Sequence, residues 1–155
     1  MNKLYYIAAL YMCVMFKTFG CGVGERHIFN CESGKKVAQL CLNKEKGMGY
    51  FFYEKEALKM KYPESSRSGE FYYSSAMKVG GEEERVRFRV GLYDYYIYQI
   101  SMNSKDYPYR EESGVSVIKS NRKIFNMLCE NVDSRFNKSD LELIKTESIK
   151  SVPIY

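Results

Sequence analysis

The chain contains no tryptophan, one histidine and three prolines, and its acidic and basic residues are interspersed rather than gathered into tracts. A lone histidine, His27, excludes most histidine-based catalytic and zinc templates, and it has no neighbouring acid or cysteine at ligand spacing. The only glycine pair, Gly80-Gly81, runs into Glu82-Glu83-Glu84 and lacks the lysine and serine or threonine of a phosphate-cradling loop. With a formal charge of +5 and neither a basic arm nor a one-sign tail, the sequence argues against a nucleic-acid partner. Neighbouring carboxylates, Glu82 to Glu84, Glu111-Glu112 and Asp94, are the residues left for glycoside chemistry. Nothing around them signals the desolvation that a catalytic acid needs. No catalytic residue, metal site or cofactor is therefore assigned.

Long apolar runs are equally scarce. The one that stands out, Leu4 to Phe16, follows Asn2 and Lys3 and ends at Lys17, which is the grammar of an export signal. As a helix it rises only about 20 Å, short of the roughly 30 Å hydrocarbon core of a bilayer. Gly20-Cys21-Gly22 before Val23 supplies small residues for cleavage, so residues 1–22 are read as a signal peptide, and removing Lys3 and Lys17 lowers the charge from +5 to +3. Thr18-Phe19-Gly20-Cys21 also has the outline of a degenerate lipoprotein box, and a membrane association is expected only if Cys21 is lipidated. The expected location is the periplasm or the extracellular space. Residues 23–135 are enough for one β-rich domain, with 136–155 as a C-terminal helix and tail.

Five cysteines fit an oxidising compartment. Cys13 lies in the apolar run and Cys21 near the cut, which leaves Cys31, Cys41 and Cys129. Gly34 allows the chain to reverse between Cys31 and Cys41, and the short loop makes Cys31–Cys41 the first choice of bridge. Cys129 is left as a free or alternative partner.

The body reads as successive strands. His27 to Cys31 and Lys36 to Leu42 form the arms of an opening hairpin. Tyr50 to Tyr53 is aromatic, Ala57 to Tyr62 alternates apolar and lysine positions up to Pro63, and Phe71 to Val79 is extended. Arg85 to Val90 places Val86, Phe88 and Val90 on one face and Arg85, Arg87 and Arg89 on the other. Beyond Gly91, the stretch Leu92 to Ile100 carries aromatics on both faces, which suits an interior strand. Ser101 to Ser113 is the longest polar connection and is expected to be a loop. Gly114 to Ile118 and Lys123 to Cys129 form a last hairpin turned at Ser120 to Arg122. Ser139 to Glu147 has the cap and spacing of a short helix. The pattern predicts a mainly β fold, a single antiparallel sandwich or barrel of about 7 to 9 strands.

Fifteen tyrosines are the most unusual count in the composition. Tyrosine and arginine supply interface area at low entropy cost. The surface expected to meet a partner is therefore Arg85, Arg87, Arg89, Tyr93, Tyr95, Tyr107, Tyr109, Arg110, Glu111 and Glu112.

Taken together, Cys31, Gly34-Lys35, Val37, Leu40-Cys41, the aromatic run at Tyr50 to Phe52, Tyr62-Pro63, Gly80-Gly81, Val86 to Phe88, Gly91-x-Tyr93-x-Tyr95, Gly114-Val115-x-Val117 and Cys129 resemble small exported bacterial β-rich proteins with a Cys-x9-Cys hairpin, a group that includes periplasmic immunity and inhibitor proteins. The resemblance implies a cell-envelope protein that binds a cognate toxin and occludes its active site, without catalysis. An exported carbohydrate- or peptidoglycan-binding module, an envelope enzyme and a lysozyme-type inhibitor are the alternatives. C-type lysozyme inhibitors carry a Ser-x-Gly-x-x-Tyr-like element, whereas Ser74-Ser75-Ala76-Met77 lacks its glycine and tyrosine.

Overall fold

The computed structural model describes residues 20–65, 69–104, 107–130, 136 and 138–149; the side chains of 103, 104, 107–110 and 138 lie outside the description. The expected signal peptide falls almost wholly in residues outside it.

Among the described residues, ten strands form two open sheets. β1 (Arg26–Ser33), β2 (Lys36–Asn43), β3 (Gly47–Glu54) and β4 (Ala57–Tyr62) make an antiparallel meander in that order. β5 (Phe71–Lys78), β6 (Gly81–Val90), β7 (Tyr93–Ser104), β8 (Tyr107–Lys119) and β9 (Arg122–Leu128) make a second. After a short helix α1 (Lys138–Leu141), β10 (Lys145–Thr146) adds to the free side of β5 in parallel. The architecture is a β-sandwich, mainly antiparallel as expected from the alternation of the sequence.

Local chemistry fixes the turns. Gly34 and Gly91 both take φ of 57° and open two-residue turns with a left-handed first residue, which glycine adopts without a Cβ clash. Ser120 and Asn121, with φ of 48° and 62°, are both left-handed, as a type I′ turn requires. These turns set registers in which Val86 meets Ile97 and Phe88 meets Tyr95. The inner faces of the two sheets therefore close on one another. Leu40, Tyr50, Phe88, Ile97 and Val115 are fully buried in the shared core. Phe88 is the hub of its aromatic part, stacked on Tyr95 at 4.8 Å and on Tyr62 at 4.6 Å between ring centroids. The C-terminal segment closes one end. Phe136 stacks on Phe29 at 5.4 Å, its amide donates to Gln99 Oε1 at 2.8 Å, and Leu141 is buried below it.

Three expectations are corrected. The first is the disulfide pairing, since Cys31 is bonded to Cys129 and Cys41 to Cys21. The turn at Gly34 pairs Cys31 with Ala38, whereas Cys41 pairs with His27, so the two cysteines stand three rungs apart and on opposite faces of the hairpin. Cys31 faces the core, where β1 runs near the end of β9, and its bond clamps one sheet to the other. Cys41 faces outward and holds the segment from Gly20. A cut after Gly22 would discard Cys21, and the bond uses the sulfur that a lipid thioether would need.

The second concerns Ser101 to Ser113. Its register continues from Gln99↔Ser113 to Met102↔Arg110 and, after an irregularity, Ser104↔Tyr107, so the polar stretch is the far end of a long hairpin rather than a loop. The third is the helix at Ser139 to Glu147, which is confined to one turn. Lys145 and Thr146 find better hydrogen-bond partners along β5, and the Glu147 amide donates to the Tyr73 carbonyl at 2.8 Å.

Candidate functional site

Alternation along β6 puts Glu83, Arg85, Arg87 and Arg89 on the outer face of the second sheet, opposite Ile100, Tyr98, Tyr96 and Asp94 of β7. The sequence suggested a surface that meets a partner. Instead Arg85 and Arg87 are buried, and only Arg89 has its side chain largely in solvent. Each guanidinium is matched by a carboxylate. Arg89 donates from Nε and Nη2 to the two oxygens of Asp94 at 2.8 and 2.7 Å, a bidentate fork. Arg87 donates Nη1 to Asp94 at 3.0 Å and grips both oxygens of Glu147 at 2.7 and 2.6 Å. Its guanidinium also lies 4.7 Å from the Tyr72 ring centroid. Arg85 pairs with Glu83, which is fully buried and reached by Lys78 Nζ at 3.1 Å.

The electrostatics follow from those contacts. Burial pulls the Asp94 carboxyl upward, but the hydrogen bonds and charges of Arg89 and Arg87 outweigh it and hold Asp94 below the usual carboxylate range. Glu147 above all, with Asp94 behind it, keeps Arg87 charged against its burial. Such a network fixes the C-terminal segment to the sheet. Removing one member strands a buried charge, so these arginines serve the fold before any partner.

The tyrosines expected beside them lie elsewhere. Tyr93 and Tyr95 occupy the alternate positions of β7 and point to the inner side of the sheet. Tyr95 is half-buried against Phe88, and burial raises its phenol, helped by Tyr93. Tyr93 lies under Lys119, whose Nζ is 4.9 Å from the ring centroid and donates to the hydroxyl at 3.2 Å. Glu112 stands opposite Ile100 and Glu111 opposite Ser101, on alternating faces of β8, half-buried and with partners. The Arg110 backbone pairs with Met102, roughly 25 Å along β7 from Asp94 at ordinary strand rise. The side chains of Tyr107, Tyr109 and Arg110 lie outside the described residues. The seven whose side chains are described thus do not form one patch; they divide between the two faces of the sheet.

A different feature emerges at the opposite edge from the Cys31–Cys129 clamp. An open groove of about 750 Å³ runs between β4 and the β6–β7 turn, lined among others by Lys59, Lys61, Tyr62, Pro63, Arg89 and Tyr95. Two of these, Arg89 and Tyr95, belong to the sequence-derived set. The lysines were visible in the sequence as the polar half of the β4 alternation. What the sequence withheld was that, among the described residues, β4 ends its sheet with only β3 beside it. His27 is exposed on β1 opposite Cys41, and among the described residues no three His, Cys, Asp or Glu side chains are grouped to hold a metal. No described helix is long and apolar enough to cross a membrane. No family model, no curated protein and no solved structure matches the chain.

Proposed function

We propose that this chain is a non-enzymatic binding protein of an exported, oxidising compartment: a periplasmic immunity protein that neutralises a wall- or membrane-directed toxin by covering its active site. The observation that carries the reading is the pair of crossed disulfides, which fix both sheets of a small sandwich and suit an oxidising location. Occlusion needs a rigid surface and no reacting group, and a stapled scaffold lowers the ordering cost of association. The spending of Arg85, Arg87, Glu83, Asp94 and Glu147 on one another favours a structural over a catalytic use of the most charge-dense face.

The test is protection. Expressed in the compartment to which it is exported, the chain should rescue a sensitive strain from the product of an adjacent gene and co-purify with that product. Neither rescue nor co-purification with any neighbour's product would sink the toxin reading.

A further inference from the structure

The groove beside β4 combines two properties that one kind of ligand can use together. The first is strand backbone with no ladder partner among the described residues. β4 is an edge strand, and β5 begins opposite Phe88, so Arg89 and Val90 at the end of β6 extend past the last β5 rung. Among the described residues, two strand edges therefore flank one opening. Ala57 to Lys59 and Lys61 are exposed, which leaves the β4 edge accessible. The second is charge. Lys59, Lys61 and Arg89 line the groove against one acid, Glu64, while Asp94 offsets part of the Arg89 charge. Lysines on an edge strand discourage pairing with a second copy of the same edge, because like charges would face each other. They favour a strand that brings acids. The half-buried rings of Tyr62 and Tyr95 and the Met60 side chain give its apolar residues a floor.

We propose that this groove receives an extended acidic peptide segment of a partner protein, added as a further strand on β4, with its carboxylates meeting Lys59 and Lys61. A polyanion such as a sulfated glycan satisfies the cations but leaves the strand edge unused, whereas an acidic peptide uses both. The inference rests on the reading of this chain as a binding protein and deepens it by giving the chemistry of the partner; it does not require that the partner be a toxin.

The test is a fluorescence-anisotropy titration of the full exported chain with labelled octapeptides. Alternating glutamate-valine is the probe. Alternating lysine-valine controls for charge, alternating glutamate-proline for strand addition, since proline offers no N–H to a ladder, and heparin for simple polyanion binding. Glutamate-valine should bind in a salt-sensitive way, with the other two peptides at least about tenfold weaker. Lys59→Glu with Lys61→Glu should lower its affinity by at least about tenfold, because both rim charges reverse. Arg122→Glu with Lys123→Glu, on the exposed start of the opposite edge strand β9, should leave it unchanged. Unaltered thermal melts establish that the variants fold. Equal binding of the proline and valine peptides, heparin competing as well as peptide, no binding at millimolar peptide, or indifference to the lysine reversals would each overturn the proposal. Peptide binding without protection removes the immunity reading and keeps the groove; protection without lysine-dependent peptide binding does the opposite.

Discussion

Replacing Cys31 and Cys129 together by alanine removes the bond between the two sheets, and its cost follows from the loop that the bond closes. With a separation of 98 residues, the chain-entropy relation gives about 4.7 kcal/mol. The same relation gives about 3.3 kcal/mol for Cys21–Cys41, whose separation is 20. The two loops interleave, and the detour through either bond is no shorter than the direct path of the other, so each keeps its full length. Alanine is the right replacement, because a serine would leave a hydroxyl in a core position where Cys31 is fully buried. For a domain of ordinary stability, about 5–15 kcal/mol, the first loss is a large share of the whole. In urea, with a slope of about 2 kcal/mol per molar, the midpoint should fall by about 2.4 M for the Cys31/Cys129 pair and about 1.6 M for the Cys21/Cys41 pair. A larger loss from the short loop than from the long one would refute the reasoning.

Three further outcomes are expected. Asp94→Asn should be less stable than the parent at neutral pH: the native carboxyl titrates below its unfolded value, so its contribution is full above about pH 4 and fades as pH falls through the depressed native value. Urea midpoints measured against pH should therefore converge for the two proteins in acid; a gap independent of pH would show that the lost charge is not what matters. Gly114→Ala should cost about 1–3 kcal/mol, since a Cβ there would stand 2.5 Å from the Met127 carbonyl and 2.6 Å from the Tyr98 hydroxyl, with strand backbone on one side; an unchanged melting temperature would contradict it. Phe88→Ala should cost about 3–5 kcal/mol by denaturant unfolding, because it empties the hub of the stacked rings.

The sequence made the hairpins legible wherever local chemistry decides them. Arg85 to Val90 alternates cleanly, Gly91 turns the chain, and both faces of Leu92 to Ile100 are aromatic because Tyr95 and Ile97 join the shared core while Tyr96, Tyr98 and Ile100 bury against Ile118 on the other face. Gly114 to Ile118 and Lys123 to Cys129 were readable for the same reason, with Ser120-Asn121 at the bend. Long-range information was not. Sequence proximity favoured Cys31–Cys41, but strand register sets which face a cysteine occupies, and one rung decides between core and exterior. Polar composition suggested a loop at Ser101 to Ser113, where the ladder of a long hairpin overrides propensity. Alternation sets the arginine row on one face, with Asp94 across from it, but does not show that Arg85 and Arg87 are buried there. Glu147, the acid that grips Arg87 from 60 residues away, carries no local mark of that role. The groove is not legible in the sequence, because being an edge strand is a property of the sheet and not of Ala57 to Tyr62.

The order of the four bonded cysteines along the chain has one more effect. Cys31 lies between Cys21 and Cys41, and Cys129 lies beyond both, so the covalent loops overlap like links rather than sitting side by side. A single backbone break anywhere between Cys21 and Cys129 therefore leaves the two pieces joined. A protease that nicks an exposed turn such as Gly91-Leu92 yields one molecule on a non-reducing gel and two fragments on a reducing one. In an oxidising compartment, where both bonds persist, that interlock turns a cut into a scar.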